Sequence, residues 1–122
     1  MTTFAAASDT ARVLTLTEYR AVPWVVLEIA GELDLLTAAQ VRTWLRETLG
    51  DIPAGQLVID LTQVSFLDLA GLDALLDARR LVESVDGELR IVCPHERLLR
   101  LFRLTGLITT LRICQRLEEA LV

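Results

Sequence analysis

Apolar and polar residues alternate from Arg12 to Tyr19, with Val13, Leu14 and Leu16 set against Thr15, Thr17 and Glu18. A period of two marks a half-buried strand. Arg20-Ala21-Val22-Pro23 is a short connector, and Trp24 to Ala30 a second, more apolar strand; the close spacing predicts a hairpin. Thr37 to Leu49 changes period: Val41, Leu45 and Leu49 recur every fourth residue, as on one face of a helix, and Gly50 stops it. Leu57 to Leu61 is a short continuous apolar run, the pattern of a strand buried on both faces of a parallel sheet. Leu72, Leu75, Leu76, Leu81 and Val82 carry the next helix, and Leu89 to Cys93 the next strand. Glu96 to Leu104 is a helix with Leu98, Leu99, Leu101 and Phe102 inward, Leu111 to Cys114 a last strand, and Leu117 to Leu121 a final short helix.

The predicted order is β-β-α-β-α-β-α-β-α. Strands that alternate with helices require parallel crossovers. The expected architecture is therefore α/β: a mixed, mostly parallel β-sheet with an N-terminal hairpin, packed by α-helices. A single domain is placed over 11–122, and the small, polar residues 1–10 are expected to be disordered.

Composition narrows the function. The chain has 122 residues, 52% hydrophobic and 24% charged, enough for one ordinary core without metal or disulfide staples. Its net charge of −5 argues against nucleic acid and against an anionic membrane surface as partners. All twelve basic residues are arginine. The start Met1-Thr2-Thr3-Phe4 lacks the basic and apolar regions of a signal peptide, and no apolar run approaches the ~20 residues of a membrane span. A cytoplasmic protein without direct membrane insertion is expected, with Cys93 and Cys114 as thiols.

One segment stands out. Asp68-Leu69-Ala70-Gly71-Leu72 follows a strand expected at the sheet centre and opens a helix. Loops at the carboxyl ends of parallel strands are where such sheets present binding groups. Gly71 allows close backbone approach, and the free N–H groups of a helix start favour negative charge. A phosphoryl group there would be tolerated electrostatically while changing the surface charge by nearly −2 (about −1.5 to −2 at neutral pH).

The segment resembles the phosphorylation motif of the STAS domain of anti-sigma factor antagonists, an apolar strand followed by Asp-Ser-Ser-Gly-Leu or Asp-Ser-Thr-Gly-Leu. A second stretch, Gly31-Glu32-Leu33-Asp34-Leu35-Leu36-Thr37-Ala38, is similar to the family's first strand–helix loop. A third is Gly87 to Val92 followed by Arg100 to Leu107. Three matches in order span nearly the whole domain. The resemblance implies a protein that binds an anti-sigma factor, usually a serine kinase of the GHKL type, and so frees a sigma factor. It implies contact through Asp34, Leu36, Thr37, Asp68, Leu69, Ala70, Gly71, Leu72 and Asp73. In such proteins phosphorylation by the kinase ends binding and a phosphatase restores it.

The chain departs from the pattern at the residue that matters most. Ala70 occupies the phosphoacceptor position and has no hydroxyl; Leu69 replaces another hydroxyl residue. Alanine preserves the uncharged state that the resemblance equates with binding competence, so constitutive competence, or control by another route, is expected. An exposed Leu69 would add apolar contact of about 1.5–3 kcal/mol. Asp73 near the helix start supplies half a phosphate's charge at a different position and is not expected to mimic one. The alternative within the same resemblance is a regulatory subunit of a membrane transport complex, such as a lipid-exporting ABC system.

Plainer readings stand beside these. Asp34 and Asp68 fit helix caps, and Ser65 and Thr37 fit turn hydroxyls, though either hydroxyl could take a displaced phosphate. His95 reads as a loop residue, and Arg97, Arg100 and Arg103 as a solvated helix face or a strip for an acidic partner. Cys93 and Cys114 read as small buried thiols, or as a redox pair if their strands are neighbours. No nucleophile–base pair, nucleotide loop or metal-ligand cluster is present in the sequence, so no enzyme activity, cofactor or metal is expected. A monomer or a weak dimer is expected.

Overall fold

The computed structural model describes residues 2–7 and 13–122, with side chains from residue 14 onward. Six strands form one sheet in sequential order: β1 (Thr2–Ala7), β2 (Val13–Ala21), β3 (Trp24–Leu33), β4 (Gln56–Leu67), β5 (Glu88–Val92) and β6 (Ile113–Cys114). β1–β2 and β2–β3 pair antiparallel, and β3–β4, β4–β5 and β5–β6 pair parallel. The helices are α1 (Ala38–Thr48), α2 (Leu69–Glu83), α3 (Glu96–Leu104), α4 (Leu107–Thr110) and α5 (Leu117–Ala120). The mixed, mostly parallel α/β sheet with its hairpin is as expected. The hairpin closes at Val22-Pro23, whose peptide bond is cis.

Strand β3 runs on to Leu33 and β5 stops at Val92, and three larger differences from the sequence reading stand beside these. Thr2–Ala7, expected to be disordered, is an antiparallel edge strand paired with Val13–Glu18. Its three alanines carry little strand signal, and β2 supplies the hydrogen-bonding partner. The remaining residues of that predicted tail, 1 and 8 to 10, lie outside the described residues. Strand β4 runs six residues past Leu61, to Leu67. The last strand shrinks to Ile113–Cys114, because Leu107–Thr110 turns into a short helix first.

The helices divide the sheet into unequal faces. Val41, Trp44 and Leu45 of α1, Leu72, Leu75, Ala78 and Val82 of α2, and Leu98, Leu99 and Phe102 of α3 pack on one face over Leu27, Ile29, Leu57, Ile59 and Ile91. These are the helical-period residues of the sequence, and their burial from water drives the packing. The other face holds a smaller cluster of Trp24, Val26, Val58 and Val92 beneath Ala120 of α5. Arg90 ties that helix down, donating to the carbonyls of Ala120 (2.9 Å) and Val122 (2.6 Å) while its guanidinium lies 4.4 Å from the Trp24 ring centre. Arg42 of α1 bridges to Asp77 of α2 at 2.9 Å, which links the two helices that follow the parallel strands β3 and β4.

Candidate functional site

Strands β3 and β4 run side by side in the same direction, with Leu33 opposite Leu67. The residue after each is an aspartate, so Asp34 and Asp68 occupy matching places at one end of the sheet. Parallel strands present their binding loops at this end.

The two aspartates do different things. Asp34 is 5% exposed, and its Oδ1 accepts from the N–H groups of Leu36 (2.9 Å) and Thr37 (3.2 Å). Thr37, 1% exposed, accepts from the Asp34 N–H at 3.0 Å and donates its hydroxyl to the Glu32 carbonyl at 2.6 Å. The two side chains form a closed, buried box at the start of α1. Asp68 is only half-buried. It caps α2 by accepting from the Gly71 N–H at 3.0 Å, and its own N–H donates to the Leu33 carbonyl at 3.4 Å.

Gly71 sets how closely α2 approaches β3. A Cβ on it would lie 2.5 Å from both the Leu33 carbonyl oxygen and Leu67 Cδ1, closer than side chains tolerate. The resulting contact keeps the start of α2 against the end of β3 and brings the two loops together.

The expected contact residues separate into two groups. Asp34, Thr37, Gly71 and Leu72 are buried. Leu72 belongs to the core, and the other three hold the loops in place. Leu36 (50% exposed), Leu69 (66%) and Asp73 are exposed, while Ala70 and Asp68 are half-buried at the rim. Two further apolar side chains join them that the sequence reading passed over: Leu35 at 78% and Phe66 at 48%. Among the described residues, eight large apolar side chains are strongly exposed, and four of them, Leu35, Leu36, Phe66 and Leu69, sit at this end of the sheet. Leu35 carried a usable signal, since two adjacent leucines in a tight turn cannot both face one core. Phe66 did not, for it sits just past a bulge that breaks the strand alternation.

The other candidates resolve simply. Cys114 lies on β6, while Cys93, expected on a strand, is the residue just past the end of β5; its N–H donates to the Cys114 carbonyl at 2.8 Å. The ladder, however, pairs Cys114 with Val92. Cys93 is one residue out of step and faces the α1–α3 side, whereas Cys114 packs on the α5 side. The sheet separates the sulfurs, which rules out the redox pair. Burial pushes both thiols above their usual pKa, with Glu119 adding to the effect at Cys114, so neither is an activated thiolate. His95 is half-buried, with its Nε2 2.6 Å from the Thr62 carbonyl. Arg103 pairs with Glu96 at 2.6 Å, and Arg97 donates to the Ser65 carbonyl at 3.1 Å, so the arginine strip is partly engaged within the fold.

Comparison with known proteins agrees with this geometry. Residues 14–120 match the STAS domain family. The anti-sigma-F factor antagonist RsfB of Mycobacterium tuberculosis is 37% identical over 97 residues, 79% of this chain and 77% of that protein. The anti-sigma-B factor antagonist of Bacillus subtilis is 33% identical over 87 residues, 68% of this chain and 74% of that one. The crystal structure of an anti-sigma factor antagonist from Mycobacterium paratuberculosis superposes with a TM-score of 0.74 at 26% identity, covering 95% of this chain and 96% of that one. A family match over nearly the whole length, on a fold whose two strand-end loops carry the matching motifs, leaves one conclusion: the chain belongs to the STAS domain family.

Proposed function

We propose that this chain is an anti-sigma factor antagonist, a binding protein that sequesters an anti-sigma factor and so releases a sigma factor. The names of its relatives support the partner class. The observation that carries the reading is the exposed apolar group Leu35, Leu36, Phe66 and Leu69 around Ala70, at the end of the sheet where the family motifs lie. Apolar side chains surrounded by polar ones mark a protein-binding surface.

The partner lays its own apolar surface over Leu36 and Leu69, with Asp68 and Asp73 at the polar edge. Asp34, Thr37 and Gly71 act indirectly by fixing the loops. Because Ala70 offers no oxygen for a phosphoryl group, the surface stays uncharged at its centre and competent to bind. A partner of the GHKL serine-kinase class would therefore hold this chain in the presence of ATP without modifying position 70.

The test is capture of the anti-sigma factor by the immobilised chain from cells of its own host. Leu69→Asp puts a charge in the apolar group without disturbing a buried contact, and is expected to abolish capture while the unfolding temperature stays unchanged. Recovery of a transporter ATPase in place of an anti-sigma factor, or undiminished capture by Leu69→Asp, would overturn the reading.

A further inference from the structure

Polar atoms shut away from water almost always find a hydrogen-bond partner, and each exception calls for a reason. Among the described residues two buried side-chain atoms have none: the indole Nε1 of Trp44 and the amide Oε1 of Gln40. The first can only donate and the second can only accept. They stand one helical turn apart on α1, at the spacing that makes side chains neighbours on one face, yet they do not bond to each other.

Both residues line the same cavity, about 300 Å³ between α1 and β2. The spacing along α1 shows how it arises. Val41 and Leu45 enter the core, while Ala39, Gln40, Thr43, Trp44, Glu47 and Thr48 form the stripe beside them, above Leu16 of β2. On its other flank α1 is tied to α2 by the bridge between Arg42 and Asp77. Leu16 and Trp44 are buried at the base of the cavity, and Ala39, Thr43 and Glu47 are exposed at its mouth. A cavity of about 230 Å³ on the α2 flank offers nothing comparable, because its Arg42 and Arg80 are already paired with Asp77.

These features select a ligand. Glu47 is the one charged residue among the described lining, and the chain carries −5 overall, so an anion is turned away. A simple cation would leave the Trp44 donor unmatched. Leu16 and the indole ring favour a flat apolar body, and a few placed polar groups in an apolar cavity fix its orientation.

We propose that this cavity binds a small neutral molecule with a flat apolar body and an amide group, whose carbonyl accepts from Trp44 Nε1 and whose N–H donates to Gln40 Oε1. Rotation of the half-buried Gln40 side chain between staggered rotamers opens the approach to both atoms. None of Leu35, Leu36, Phe66 and Leu69 lines the cavity, so the proposal does not depend on the antagonist reading.

The probe is benzamide, a phenyl ring bearing a primary carboxamide. The control is benzoate, which has the same shape but is an anion without an N–H. The readout is the indole region of the nitrogen–proton correlation NMR spectrum of the full chain, assigned with Trp44→Phe. The chain has 2 tryptophans, and Trp24 is buried on the opposite face of the sheet, where it serves as an internal reference. Benzamide is expected to move the Trp44 signal saturably, with a dissociation constant on the order of 1 mM for so small a ligand, and to leave Trp24 in place. Benzoate is expected to bind at least about tenfold more weakly. Gln40→Met keeps the length of the side chain but removes the acceptor; it is expected to weaken benzamide at least about tenfold while the Trp24 signal stays where it was. No saturable shift at Trp44, equal movement of Trp24, equal binding of benzoate, or undiminished binding by Gln40→Met would each overturn the proposal.

Discussion

The turns after β3 and β4 start alike and end differently. Each begins with an aspartate at matching places on neighbouring parallel strands. Asp34 disappears into a box of hydrogen bonds with Thr37, while Asp68 stays at the surface with a single capping bond. The first turn is a support. The second, with Leu69 and Ala70 beside it, is the place where a change of side chain alters the surface without dismantling the fold. A motif aspartate can therefore belong to the architecture or to the rim, and only its surroundings decide which.

The contrast can be broken by substitution. The largest effect is expected from Gly71→Ala, which would drive a Cβ into the Leu33 carbonyl and Leu67. It should cost about 3 kcal/mol, read by denaturant unfolding, because neither backbone nor packed leucine yields easily. Thr37→Val comes next. It preserves shape but removes the hydroxyl that accepts from the Asp34 N–H and donates to the Glu32 carbonyl, at about 2 kcal/mol. Asp68→Ala removes only the cap on Gly71 and should cost about 1 kcal/mol in the same measurement. If Thr37→Val proved cheaper than Asp68→Ala, the division into support and rim would be reversed.

The smallest effect concerns acid. Hydrogen bonding from Arg42 holds the Asp77 carboxyl below its ordinary 3.8, and Arg80 adds to this. A carboxyl depressed in the folded state stabilises above its unfolded pKa, and that contribution is lost as pH falls through the folded value. The contact between α1 and α2 should thus loosen only below about pH 4, the ordinary range for Asp, and only slightly, since both side chains are solvated. Arg42→Gln should flatten that part of the pH–stability curve.

Much of this was legible in the sequence, for identifiable reasons. The helical period of Leu72, Leu75 and Val82 and the apolar run Leu57 to Leu61 specify burial directly, and the Gly71 motif specifies a close approach. What the sequence hid depends on neighbours. β1 is visible only through its pairing with β2. The end of β4 is masked by bulges that expose Thr62, Gln63, Ser65 and Phe66 in an irregular order. Cys114 is on a strand as expected and Cys93 falls one residue past the end of β5, but which face each occupies follows from a register that no local pattern carries. In the same way, the burial of Asp34 and Thr37 arises from their mutual box.

The central claim is that the uncharged surface around Ala70 holds the partner. Ala70→Glu tests it most directly, with Leu104→Asp as the control, since Leu104 is an exposed apolar residue at the far end of α3. The measurement is the calorimetric affinity of each variant for the captured anti-sigma factor. The account predicts that Ala70→Glu weakens binding at least about tenfold, as a new charge opposite an apolar surface should, and that Leu104→Asp binds like the unmodified chain. Unchanged affinity for Ala70→Glu, or a loss as large for Leu104→Asp, would contradict it.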